Sequence, residues 1–159
     1  REIRSESAED TLLTDTRDRE LLKEMMRNQS EEVADRLRKR HLVGSTATVK
    51  IKYDNFKIIT RSRTFSCPLA SSKGLYEAAC AILDSLELER PVRLIGVRLS
   101  GFGGVRREGS LLPLLTGGTV PEEREKRNVR LERAMDDLRK RFGNDIIRRG
   151  APAGQKDGR

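Results

Sequence analysis

The stretch TATVKIKY alternates strictly: Ala47, Val49, Ile51 and Tyr53 are apolar, and Thr46, Thr48, Lys50 and Lys52 are polar. A period of two is that of a strand with one buried and one solvated face. Asp54 and Asn55 supply turn residues, and FKIITRSRTF (56–65) again favours a pleated surface, so residues 46–65 predict a hairpin of strands 46–53 and 57–65. Upstream, Leu22, Met25, Met26, Gln29, Val33 and Leu37 recur at steps of three to four, which predicts an amphipathic helix within 16–41 that ends near Gly44. Ser71 or Ser72 can cap a second helix, whose stripe is Leu75, Ala79, Ile82, Leu83 and Leu86 and which Pro91 stops. VRLIGVRL (92–99) reads as a last strand. Residues 2–13, with Ile3, Thr11, Leu12 and Leu13, read as a less regular first one. The order β-α-β-β-α-β predicts an α+β fold, a four-stranded antiparallel sheet with two helices on one face. Further along, Leu131, Met135, Leu138 and Phe142 predict a helix over 121–142, stopped by Gly143, with those four residues as its packing stripe.

Composition narrows the function classes. In 159 residues there is room for one ordinary core with an appendage. Lys and Arg outnumber Asp and Glu by 33 to 25, a net charge of +8 that favours a polyanionic partner. The single histidine, His41, and two cysteines, Cys67 and Cys80, lack metal-ligand spacing, so neither a zinc site nor Cys-His catalysis is expected. The bland reading is that both cysteines are reduced and pack as small apolar residues, Cys67 closing a strand before Pro68. No run approaches the roughly 20 apolar residues of a membrane span, and a cytoplasmic protein is expected. The chain opens on Arg1 rather than Met, which fits an excerpt of a longer protein.

Charge is distributed unevenly. Strands 46–53, 57–65 and 92–99 carry Lys50, Lys52, Lys57, Arg61, Arg63, Arg93 and Arg98 and no acid, whereas the helices mix both signs. Thr46, Thr48, Thr60, Ser62 and Thr64 are interleaved with these cations. Small hydroxyls allow close approach to phosphate while Lys and Arg neutralise it, a combination that suits a nucleic-acid backbone. Single strands are more often held on aromatic platforms; here Tyr53 falls with the core residues of its strand and Phe65 is the other strand aromatic. A solvated basic face that protects edge strands is the structural alternative. Alternation also sends Thr60, Ser62 and Thr64 one way and Arg61 and Arg63 the other, and either set, or both around a strand edge, could meet phosphate.

The motifs RSESAEDT (4–11), VADRLRKRHLVGSTATVKIKYDNF (33–56), ITRSRTF (59–65) and RPVRLIGVRLSGF (90–102) resemble the little-finger, or polymerase-associated, domain of the DNA polymerase IV group of Y-family translesion polymerases. The similarity covers residues 1–102, and LERAMDDLRKRFGNDIIRR (131–149) is similar to the extreme C-terminus of many bacterial members. The resemblance implies a domain that lays its sheet in the major groove of the primer-template duplex. Thr11, Thr60, Arg61, Ser62, Arg63, Arg93 and Arg98 would face or flank the DNA backbone, with Lys50 and Lys52 added by the charge pattern. After the domain, glycines and a proline predict a flexible linker at 103–120, and a C-terminal helix at 121–149 and a disordered tail at 150–159 are expected to follow. Within the linker, Leu111, Leu112, Pro113, Leu114 and Leu115 fall where the family carries a Gln-Leu-x-Leu-Phe-like sliding-clamp peptide, with Leu111 in place of the polar first residue and Leu115 in place of the closing aromatic. Catalysis in the family belongs to a palm domain whose carboxylates hold two metal ions, so magnesium is expected for the parent polymerase and no catalytic residue for this chain. A monomer is expected. The alternatives are a free-standing RNA-binding domain of the same plan and a protein-interaction module.

Overall fold

The structure, a computed structural model, describes residues 3–102 and 122–143. Its elements run β1 (Ser5–Thr16), α1 (Arg19–Lys39), β2 (Gly44–Tyr53), β3 (Ile58–Leu69), α2 (Ser72–Asp84), β4 (Val92–Phe102) and α3 (Glu122–Phe142). The strands form one antiparallel sheet in the order β1-β4-β2-β3. Each helical crossover straddles a strand: α1 carries the chain past β4, and α2 carries it past β2. The expected α+β arrangement is therefore present, with β2 and β4 central. Ala47, Val49, Ile51 and Tyr53 are all buried against Leu22, Met26, Val33 and Leu37 of α1 and Leu75, Ala79, Ile82 and Leu83 of α2. Asp18 starts α1 by accepting the Glu20 and Leu21 amides at 3.0 and 3.4 Å, and Ser71 caps α2 through the Gly74 amide at 2.9 Å.

Four expectations need correction. β1 extends to Thr16 through an irregularity after Thr11, and Leu13 is fully exposed, so its side chain is no part of the core. β3 continues through Cys67 and Pro68 to Leu69; an edge strand tolerates proline because one row of its amides needs no partner. Helix α2 stops at Asp84, well before Pro91. Its last carbonyls are taken up by the chain itself: Arg19 of α1 donates to the Leu83 and Leu86 carbonyls at 2.7 and 2.6 Å, and Ser85 Oγ to that of Ile82 at 2.6 Å. These satisfy the orphan carbonyls of a helix end without a proline.

The fourth correction concerns α3. Leu131 and Phe142 are exposed, and the buried face is Glu125, Asn128, Glu132 and Met135. This largely polar face docks on the start of α2, where unpaired amides and the helix dipole favour negative charge. The Ala70 and Ser71 amides donate to Glu125 Oε2 at 2.7 and 2.9 Å, and the Ser71 hydroxyl to Oε1 at 2.7 Å. The Ser72 and Lys73 amides donate to Glu132 at 2.7 and 3.2 Å. From α1, buried Arg38 donates to Glu132 at 2.6 Å and grips both oxygens of Asp136 at 2.9 and 3.1 Å. Gly74 makes room, since a Cβ there would lie 2.5 Å from Glu125 Oε1. The expected linker at 103–120, the tail at 150–159 and the leucines Leu111–Leu115 lie outside the described residues.

Burial pushes the Glu125 carboxyl above the usual carboxylate range; the Ala70 and Ser71 donors oppose this and the neighbouring Glu132 adds to it. A carboxyl whose pKa rises on folding stabilises the fold below its unfolded value and loses that contribution as the pH climbs through the folded one. The docking contact of α3 should therefore gain from Glu125 as the pH falls through its raised folded value toward the ordinary carboxylate range. Glu125→Ala, which strips three donors of their acceptor, should cost about 1–3 kcal/mol. Thermal melts should show the gap between native and variant widening over that window; a gap that narrows would contradict the assignment.

Candidate nucleic-acid interface

Residues opposed in a β-ladder point to the same face, so the register of β2 defines what the helix-free face displays. Four rows cross the sheet from β1 through β4 and β2 to β3: Ser5–Ser100–Thr46–Thr64, Ser7–Arg98–Thr48–Ser62, Glu9–Gly96–Lys50–Thr60 and Thr11–Leu94–Lys52–Ile58. Hydroxyls dominate. Thr46 and Thr64 share a hydrogen bond of 3.1 Å and Thr48 and Ser62 one of 2.7 Å, which ties the outer strand to its neighbour on this face.

The register resolves the question that alternation leaves open. Thr60, Ser62 and Thr64 lie on the open face, whereas Arg61 and Arg63 oppose Val49 and Ala47 and so stand on the helix side of β3. They are exposed and half-exposed there because β3 is an edge strand. Arg61 Nη1 donates to the Thr60 carbonyl at 2.9 Å, so its guanidinium lies along the strand. Lys50, Lys52 and Arg98 are on the open face. Arg93 reaches it differently: β4 bulges where Lys52 opposes Leu94 but Tyr53 opposes Val92, and the extra residue, Arg93, packs beside Lys52's neighbour Phe56. Lys57 belongs to the turn before β3. The sheet thus offers cations on the open face and a second pair behind one edge, a split that the acid-free strands alone do not show.

Two contributors escape a sequence reading. Glu9 places an acid on the open face and pairs with Lys50 at 3.1 Å, reaching across β4. It can do so because the intervening residue is Gly96, where a Cβ would sit 2.7 Å from Glu9 Cβ. The polar alternation Ser5, Ser7, Glu9, Thr11 is the signal that would have found it. Phe56 is exposed at the tip of the β2–β3 turn, at a position where the Asp-Asn pair ahead of it leads one to expect glycine. Tyr53 and Phe65 are buried, so neither is a stacking platform. Among the described residues no cluster of His, Cys, Asp or Glu could hold a metal, and no helix is long and apolar enough to cross a membrane.

A one-sided α+β sheet whose free face presents hydroxyls and cations has the chemistry to meet a phosphate backbone. Residues 3–112 match the impB/mucB/samB family C-terminal domain, and the chain belongs to that family. It corresponds to the little-finger domain of a DNA polymerase IV-like member of the Y family. A DNA polymerase IV of Clostridium kluyveri is 33% identical over 156 residues, which cover 95% of this chain and 38% of that protein. A DNA polymerase IV 2 of Agrobacterium fabrum is 39% identical over 100 residues, 62% of this chain and 28% of the relative. The chain therefore spans well under half the length of these relatives. Among solved structures, a Y-family DNA polymerase chimera superposes with a TM-score of 0.58 at 21% identity, over 67% of this chain and 30% of that one. The little-finger domain of PolIV in complex with a beta-clamp processivity factor gives 0.53 at 22% identity, over 68% of this chain and 97% of that one. At such identities these likenesses establish the fold.

Glu9 and an incoming phosphate would compete for Lys50. Both partners of the pair are substantially solvated, so the bridge contributes at most about 1 kcal/mol. Glu9→Gln should therefore raise affinity for a duplex DNA probe by about two- to fivefold, measured by fluorescence anisotropy at fixed salt. Unchanged or weaker binding would mean that Lys50 does not meet the ligand.

Proposed function

We propose that this chain is the duplex-holding portion of a Y-family translesion DNA polymerase, gripping the primer-template backbone during synthesis past damaged bases. The observation that carries this reading is the set of cross-strand rows, hydroxyls interleaved with Lys50, Lys52 and Arg98 on a face the helices leave free. Thr11, Thr60 and Ser62 share that face and would approach phosphate oxygens, with Arg93 joining through its bulge. Arg61 and Arg63 would reach a phosphate from behind the β3 edge, so that the backbone straddles the outer strand. Such contacts position a duplex without reading its sequence. The catalytic carboxylates and their magnesium belong, on this reading, to a palm domain of the same polymerase, which acts as a monomer in the cytoplasm. A sliding clamp is proposed as a second partner through Leu111, Leu112, Pro113, Leu114 and Leu115. That extension is supported by the leucine pattern and by the structural neighbour, which is itself a complex with a beta-clamp.

Titration of duplex DNA at a series of salt concentrations tests the grip. With four to six phosphates neutralised, log affinity should fall against log salt with a slope of about −4 to −5. Replacing both Arg61 and Arg63 by Ala should weaken binding to all duplex sequences alike and flatten the slope by about 2 units. A slope near zero, or a strong preference for one base sequence, would sink the backbone account. Primer extension by the isolated chain with magnesium and all four nucleotides should yield no product above a buffer control; reproducible extension would show that the chemistry resides here.

A further inference from the structure

The turn from β2 to β3 breaks a local rule. Tyr53 and Lys57 close a loop over Asp54, Asn55 and Phe56: the Tyr53 amide donates to the Lys57 carbonyl at 2.9 Å and the Phe56 amide to the Tyr53 carbonyl at 2.8 Å. Asn55 Oδ1 accepts the Lys57 amide at 3.1 Å. In hairpin loops of this length the third residue adopts the left-handed conformation, which glycine takes without strain. Here Phe56 adopts it, with φ of 70°, a strained state for a bulky side chain. Burial of the ring does not offset that strain, because Phe56 is 59% exposed. The turn is nevertheless fixed in place: the Asp54 amide donates to the Pro91 carbonyl at 3.0 Å, and its carboxylate pairs with Arg90 at 2.6 Å.

What the ring does touch is two cations. The Arg93 guanidinium carbon lies 4.6 Å from the ring centroid and Lys52 Nζ 5.6 Å from it. Arg93 has a rival partner in Asp15, 3.8 Å from its Nη1. A guanidinium stacked on a ring keeps its edge N–H groups free for phosphate and loses less rotamer freedom on binding. We propose that Phe56 is a positioning residue of the backbone grip: the strained turn holds its ring where it aligns Arg93 and Lys52 toward the phosphates and offers Arg93 a second contact beside its long pair with Asp15. The role presupposes the duplex-holding function proposed for the open face.

Duplex affinity and thermal stability measured together on Phe56→Gly, Phe56→Leu and Phe56→Tyr test it. Phe56→Gly relieves the positive φ, so it should melt at or above the native temperature while binding duplex about fivefold more weakly. Phe56→Tyr should restore near-native affinity, and Phe56→Leu, which keeps apolar bulk without a π face, should not. Arg93→Ala should weaken binding much less in the Phe56→Gly background than in the native one, since coupled residues are not additive. Native affinity in folded Phe56→Gly, restoration by Leu, or additive losses with Arg93→Ala would each overturn the assignment while leaving the duplex-holding role intact. A native chain with no measurable duplex affinity would overturn that role, and this one with it.

Discussion

Everything on either side of the sheet depends on the pleat of β2. It is a central strand, so both its neighbours take their register from it, and its alternation cannot be shifted by one residue without sending Ala47, Val49, Ile51 and Tyr53 into water and Lys50 and Lys52 into the core. Burial of that apolar row against α1 and α2 therefore fixes the opposite row as well. The face that meets solvent is specified by the hydrophobic effect acting on the other face, not by any attraction among its own polar groups. The Thr46–Thr64 and Thr48–Ser62 hydrogen bonds then secure β3, which has a neighbour on one side only.

The third helix is held by different physics. Its docking face carries Glu125 and Glu132, whose oxygens take the place of water at the first amides of α2, with Arg38 balancing the charge. Buried ion pairs of this kind add little stability relative to a well-packed apolar contact, yet losing one partner is strongly destabilising. Such a contact is directional. It admits one placement of α3 on α2, whereas a leucine stripe would tolerate sliding, and Gly74 is the small residue that lets the carboxylate reach the helix start.

These two kinds of contact explain what was legible in the sequence. The central strands and the two covering helices follow from period two and period 3.6, because each buries one face in an apolar core. The edges did not follow so directly. β1 and β3 outrun the apolar pattern, since a strand paired on one side can carry Pro68 or an exposed Leu13 without disturbing a core. The buried face of α3 was misread because a helix that docks by carboxylates leaves an apolar stripe, Leu131 and Phe142, in solvent. Of the site, the residue types were legible and their sides were not: that Arg61 and Arg63 lie behind β3 follows from opposing Val49 and Ala47, a pairing no single strand reveals. Glu9 was legible in the alternation of β1, but its partner Lys50 was not, since the pair forms across Gly96; Phe56 meets Arg93 only because β4 bulges there.

The cations of the sheet are also less available than its strands imply, and this bears on how it could hold a moving ligand. On the open face Lys50 is shared with Glu9 and Arg93 lies near Asp15, and behind the β3 edge Arg61 is partly occupied by its own backbone. Each cation must give up some interaction to meet phosphate, so the net gain per contact is smaller than an isolated Lys or Arg would give. A surface that sums many small, sequence-blind gains binds firmly overall but resists movement little at any single contact, because breaking one phosphate contact restores an internal one. In the proposed duplex-holding role, partly committed cations on a rigid sheet would suit a ligand that advances one base pair at a time better than a few free ones, which would bind the first register they meet and release it slowly.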